Sequence, residues 1–206
     1  MLVLLAALVA PLVFFAGLAV EVTTGSGPAW DASLMRLLTR LGEPPVPTGT
    51  QRLVENSTLA GAGVVAGFVL LMAVSKRIRE AFFVIVAVAG VVLAEPLLKS
   101  AFERQPPGDA QGFSFPSGSA MVSMSLVAAV AVVAWPTRVR WLVLLGGAAF
   151  VLAFGVAIVD LRWHYPSDVV GGWCVGLAWV SALCLLGRGR PVLIPSSKPT
   201  VDPGAR

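Results

Sequence analysis

Residues Trp141 to Val159 read WLVLLGGAAFVLAFGVAIV, without one charged side chain, and the next residues are Asp160-Leu161-Arg162-Trp163-His164. An apolar run of this length crosses a bilayer as a helix, because lipid offers the backbone no other hydrogen-bond partner. The chain around it repeats the pattern. Further apolar segments run over about Leu2–Val20, Leu59–Ser75, Ala81–Leu98, Gly118–Trp135 and Val169–Leu186. The first has no basic residues before it, so it reads as a span and not as a cleaved leader. The expected fold class is all-α: a six-helix transmembrane bundle over residues 1–190, with a flexible cytoplasmic tail over 191–206.

Composition agrees. The 206 residues are 57% hydrophobic and 13% charged, with a mean hydropathy of +0.86. Soluble domains are usually about 25% charged. The net charge of +4 is modest, and the basic residues fall in short loops. That pattern argues for bilayer orientation and against a nucleic-acid partner. Cys174 and Cys184 share one apolar segment and read as small buried hydrophobes. With a single histidine, the chain has too few ligands for a zinc site, and neither a metal nor another cofactor is expected.

Charge sets the orientation. Lys76-Arg77-Ile78-Arg79, then Arg138 and Arg140, then Arg188 and Arg190 fall on one side of a six-span layout. The positive-inside rule makes that side, and both termini, cytoplasmic. The loops 21–58, 99–117 and 160–167 then face the exterior or periplasm. In the first of these, Leu34, Leu37, Leu38 and Leu41 share one face of a helix. Asp31 is the expected N-cap, and Gly42 with Pro44-Pro45 ends it. It reads either as an amphipathic helix in the interface or as a lid packed on the bundle. Asn56-Ser57-Thr58 fits a glycosylation sequon, a weak signal. Gly61, Gly63, Gly67, Gly171, Gly172 and Gly176 are expected to let helices approach closely.

Two polar islands meet on the outer side of this layout. One contains Lys99, Arg104 and Pro116-Ser117-Gly118-Ser119; the other contains Arg162, His164 and Asp168. Pro116-Ser117-Gly118 opens a helix, whose free N–H groups and dipole suit a phosphate. Read alone, it is also an ordinary turn. Lys99 either contacts an anion or snorkels to headgroups. Arg104 adds a planar fork that suits phosphoryl oxygens. Asp168, four residues after His164, can orient the imidazole for attack, or can cap the helix while His164 faces headgroups. Arg162 is either a phosphate contact or an interfacial charge.

Taken together, these residues resemble the membrane branch of the type 2 phosphatidic acid phosphatase superfamily, which shares its site with vanadium haloperoxidases. Its motifs are Lys-x6-Arg-Pro, Pro-Ser-Gly-His and Ser-Arg-x5-His-x3-Asp. The first is similar to Lys99–Pro107, the second to Pro116–Ser119 and the third to Ala157–Asp168, and the likeness covers about 81–186. The resemblance implies a lipid phosphatase acting on a lipid phosphate or polyprenyl pyrophosphate. In it His164 forms a phosphohistidine, Asp168 orients His164, and Lys99, Ser117 and Gly118 bind phosphate. Arg104 and Arg162 stand near the places of two family arginines, which here are Pro106 and Ile158.

Ser119 stands where the family carries the histidine that protonates the leaving group. Serine is no general acid, and general acid catalysis contributes about 10²–10⁴-fold. The alternative expectation is therefore an impaired enzyme, or a membrane protein that binds lipid phosphate without turning it over. A transporter fits less well, because the charges gather at span ends, away from the midplane. The bilayer and a lipid phosphate are the expected partners, and the sequence leaves a homo-oligomer open.

Overall fold

The computed structural model describes residues 1–25, 27–41, 57–108 and 111–187. The tail 191–206, Arg188, Arg190, the residues 42–45 expected to stop the first-loop helix, and Asn56 lie outside them. Among the described residues seven helices follow one another: α1 (Leu2–Thr24), α2 (Ala29–Leu41), α3 (Ser57–Val74), α4 (Ile78–Phe102), α5 (Gly118–Ala134), α6 (Arg140–Asp160) and α7 (Pro166–Gly187). Among the described residues there is no strand.

Four of the helices, α1, α4, α6 and α7, are long and apolar enough to cross a membrane. The segment Gly118–Ala134 is apolar but shorter, and the stretch Val65–Val74 of α3 is shorter still. Large apolar side chains such as Leu93, Leu97, Leu142, Leu145 and Leu152 point outward. A water-facing surface would not carry so many, so this is a multi-pass membrane protein.

Helix α7 organises the bundle, packing most extensively on α1 and α5. Its glycines permit this. A Cβ on Gly172 would lie 2.5 Å from the Ser117 carbonyl oxygen and 3.1 Å from the Met121 nitrogen. A Cβ on Gly176 would lie 2.7 Å from the Met121 carbonyl oxygen. These neighbours are backbone and cannot move aside. Gly172→Ala is therefore expected to destabilise by roughly 1–3 kcal/mol through overpacking, read as a lower melting temperature in detergent. Among the described residues, Gly63 and Gly67 meet nothing within 4 Å, so the close approach expected there is not seen among them. The interior on the basic-loop half is built from Phe83, Val84 and Ala87 of α4, Ala129 and Val133 of α5, and Val180 and Leu183 of α7. Cys184 is buried among them, and neither cysteine forms a disulfide among the described residues.

The α2 helix forms where the leucine spacing places it, but with a different inner face. Met35 and Leu38 pack against Ile158, Val159 and Val169, whereas Leu34 and Leu37 are exposed. Asp31 is not the N-cap: it lies in the first turn, and its buried carboxylate faces α7. α7 begins at Pro166, as the proline itself marks, so Ser167 and Asp168 lie in its first turn, and both are fully buried.

The ends of α1, α4 and α6 and the starts of α5 and α7 share one end of the bundle. Lys76–Arg79 and Arg138–Arg140, at the opposite ends of α4 and α5, lie away from it.

Candidate active site

Both polar islands meet at that shared end. The Ser117 N–H donates to the Asp168 carbonyl at 3.0 Å, tying the start of α5 to the first turn of α7. His164 lies between them in the short α6–α7 connection. Its Nδ1 is 2.9 Å from the carbonyl oxygen of Ser114. A carbonyl only accepts, so Nδ1 carries the proton and Nε2 keeps its lone pair. The bond expected from Asp168 is thus made by a backbone carbonyl instead. The Asp168 Oδ2 is 3.7 Å from Nδ1, outside hydrogen-bond range. Ser114 is itself fixed: its N–H donates to the Arg104 carbonyl at 2.8 Å, and its hydroxyl to the same oxygen at 3.2 Å.

Asp168 is occupied by other donors. The Tyr165 N–H gives its Oδ2 a bond of 2.8 Å, and Arg104 Nη1 binds its Oδ1. Arg104 also reaches Ser167 Oγ at 2.7 Å and Asp31 Oδ2 at 2.8 Å. The Ser167 N–H and hydroxyl both donate to Asp31. The guanidinium lies 4.0 Å above the Tyr165 ring, a cation–π contact. Arg104 is thus a buried cation held between two carboxylates from α2 and α7, and it joins α2, the α4–α5 loop and α7 in one network. Gly27 makes room for it. At φ +90° it occupies the left-handed region, and a Cβ there would lie 2.2 Å from Arg104 Nη2. A cleft lined by Val22, Phe102, Gln105 and Tyr165 opens beside the same arginine.

The start of α5 is buried. Ser117 is its N-cap, accepting from the Ala120 N–H at 3.4 Å, and both Ser117 and Gly118 are buried. Ser119 follows, half-buried. Lys99, on the last turn of α4, is 2.8 Å from Glu95 one turn earlier. The Glu95 carboxylate rests on Gly118: a Cβ at Gly118 would lie 2.0 Å from its Oε1. Arg162 stands apart. Its side chain is exposed, its backbone is left-handed at φ 57°, and among the described residues it makes no ion pair.

The geometry therefore groups His164, Asp168, Ser117, Gly118, Lys99 and Arg104 at one helix-bundle mouth. Glu95, Asp31 and Ser114 join them. No local spacing signals these three, because each reaches its partner only through the tertiary fold, except that Glu95 stands one turn before Lys99.

The PAP2 superfamily matches residues 80–191, just over half of the chain. The protein belongs to the PAP2 superfamily. A search of curated proteins gives no match. Among solved structures, the fold is similar to the crystal structure of the first transmembrane PAP2 type phosphatidylglycerolphosphate phosphatase from Bacillus subtilis. The TM-score is 0.72 and the sequence identity 17%, over 90% of this chain and 98% of that one. The chain thus has a membrane PAP2 phosphatase fold along nearly its whole length.

Proposed function

We propose that this PAP2 protein is a lipid phosphatase that attacks phosphorus with His164 Nε2, forms a phosphohistidine, and releases phosphate after hydrolysis. The observation that carries the reading is the His164–Ser114 contact. It assigns the proton to Nδ1 and leaves Nε2 as the nucleophilic nitrogen, on a loop tied to the start of α5. Lys99 and the amides of the first turn of α5 supply the charge and donors that a phosphoryl transition state requires. Asp168 supports the cationic ring. Arg104 acts one step back, holding Asp168 and Ser167 in place, and Arg162 meets the headgroup at the rim.

In this reading the six apolar helices all cross the bilayer, with the basic loops in the cytoplasm and the site at the outer face. The lipid tail then stays in the bilayer while the headgroup reaches the bundle mouth. Ser119 gives no acid for an alkoxide leaving group. A polyprenyl or other lipid pyrophosphate needs none, because its leaving phosphate is already a stable anion. The motif residues alone thus suit a pyrophosphate best.

Purified protein in nanodiscs, given a polyprenyl pyrophosphate and a lipid monophosphate, is expected to release inorganic phosphate from the first. Release from neither, with vanadate still bound, would instead favour a lipid-phosphate-binding protein without turnover. Ser119 and the engagement of Arg104 by Asp31 and Asp168 are the observations on that side.

A further inference from the structure

Glu95 is a carboxylate placed within an anion site. It lies inside the apolar run of α4, where an ionisable group is costly unless it has work to do. It is not buried away, being 30% exposed beside a Lys99 that is 25% exposed. Both its oxygens approach Gly118, at 2.0 and 2.3 Å from where a Cβ would stand. The carboxylate thus lies against the first residue of α5, next to Ser119. Its contact therefore stands one residue along the chain from Ser119, whose hydroxyl cannot protonate a leaving group.

We infer that Glu95 is the general acid of this site and hands a proton to the leaving oxygen of the substrate. The inference rests on the phosphatase reading above. A substrate phosphoryl monoanion bound by Lys99 stands beside the Glu95 carboxylate and can pass it one proton. Substrate therefore brings or recruits the proton that it needs. As His164 Nε2 forms its bond to phosphorus, the bond from phosphorus to the lipid oxygen breaks. The Glu95 proton moves to that oxygen, and the lipid alcohol departs. Water then attacks the phosphohistidine: its oxygen bonds to phosphorus, the P–N bond breaks, and one water proton passes to Nε2. Phosphate leaves with the proton from that nitrogen, and neutral His164 and the Glu95 carboxylate are restored.

The test compares leaving groups. Wild-type protein in nanodiscs is expected to hydrolyse both a lipid monophosphate, whose alkoxide needs a proton, and a lipid pyrophosphate, whose phosphate does not. Glu95→Gln is expected to lose about 10²–10⁴-fold on the monophosphate and less than about tenfold on the pyrophosphate. The retained pyrophosphate rate shows that the variant is folded. Adding Ser119→His to Glu95→Gln is expected to restore monophosphate turnover.

Hydrolysis of pyrophosphate but not monophosphate by the wild type would overturn the role of Glu95 and leave the phosphatase reading standing. Hydrolysis of neither would overturn both. An equal loss on the two substrates in Glu95→Gln would make the residue a structural or binding group. A faster monophosphate rate would make it a mere competitor for Lys99. Either result overturns the acid role.

Discussion

Replacing His164 with alanine is expected to lower phosphate release by at least about 10⁴-fold, the scale on which losing a covalent nucleophile acts. The substitution removes only the attacking nitrogen and its bond to Ser114. Lys99, the α5 amides and Glu95 stay in place, so phosphate should still bind and KM should change little. The loss therefore falls on kcat. His164→Gln should not rescue, because an amide can replace the hydrogen bond to the Ser114 carbonyl but cannot accept a phosphoryl group. A steady-state assay on a lipid pyrophosphate in nanodiscs reads both constants. A rate within tenfold of wild type would remove His164 from the chemistry.

The second large effect is on stability. Arg104 is 8% exposed, and its partners Asp31 and Asp168 are 4% and 0% exposed. Arg104→Met would leave two buried carboxylates facing each other in a low-dielectric pocket with Ser167. Breaking a buried pair in this way typically destabilises by about 3–5 kcal/mol. The expected result is a clear fall in the melting temperature in detergent, together with loss of activity as Asp168 moves. Adding Asp31→Asn should recover part of the stability, because it removes one of the stranded charges. A melting temperature unchanged in Arg104→Met would show that the network is not structural. It would also return Arg104 to the role of a direct phosphate contact.

Much of the architecture can be read from hydropathy. Trp141–Val159 is helical as Arg140–Asp160, and Gly118–Trp135 as Gly118–Ala134. These ends are legible because apolar runs stop where polar residues begin. Burial at the start of α7 is less so. Pro166 puts Ser167 and Asp168 in the first turn, but nothing local signals their burial, which holds because Arg104 and Asp31 satisfy them. Asp31 and Ser167 lie 136 residues apart in the chain, so no local pattern could pair them.

The site divides in the same way. His164, Asp168, Lys99, Ser117 and Gly118 are visible because their order and spacing match family motifs. Arg104 is visible as a charge, but its carboxylate partners are not. Glu95 is hidden by its own surroundings, since a hydropathy average over Ala81–Leu98 absorbs a single acid. Only the close packing of α4 on α5 brings it onto Gly118.

The covalent intermediate offers the most direct test. Protein incubated with lipid pyrophosphate labelled in the terminal phosphoryl group, quenched in alkali within one turnover, is expected to carry a base-stable, acid-labile label. Peptide mapping should place that label on His164, and the His164→Ala protein should carry none. Phosphate release with the label on another residue, or with no labelled protein at any time during the first turnover, would contradict the account.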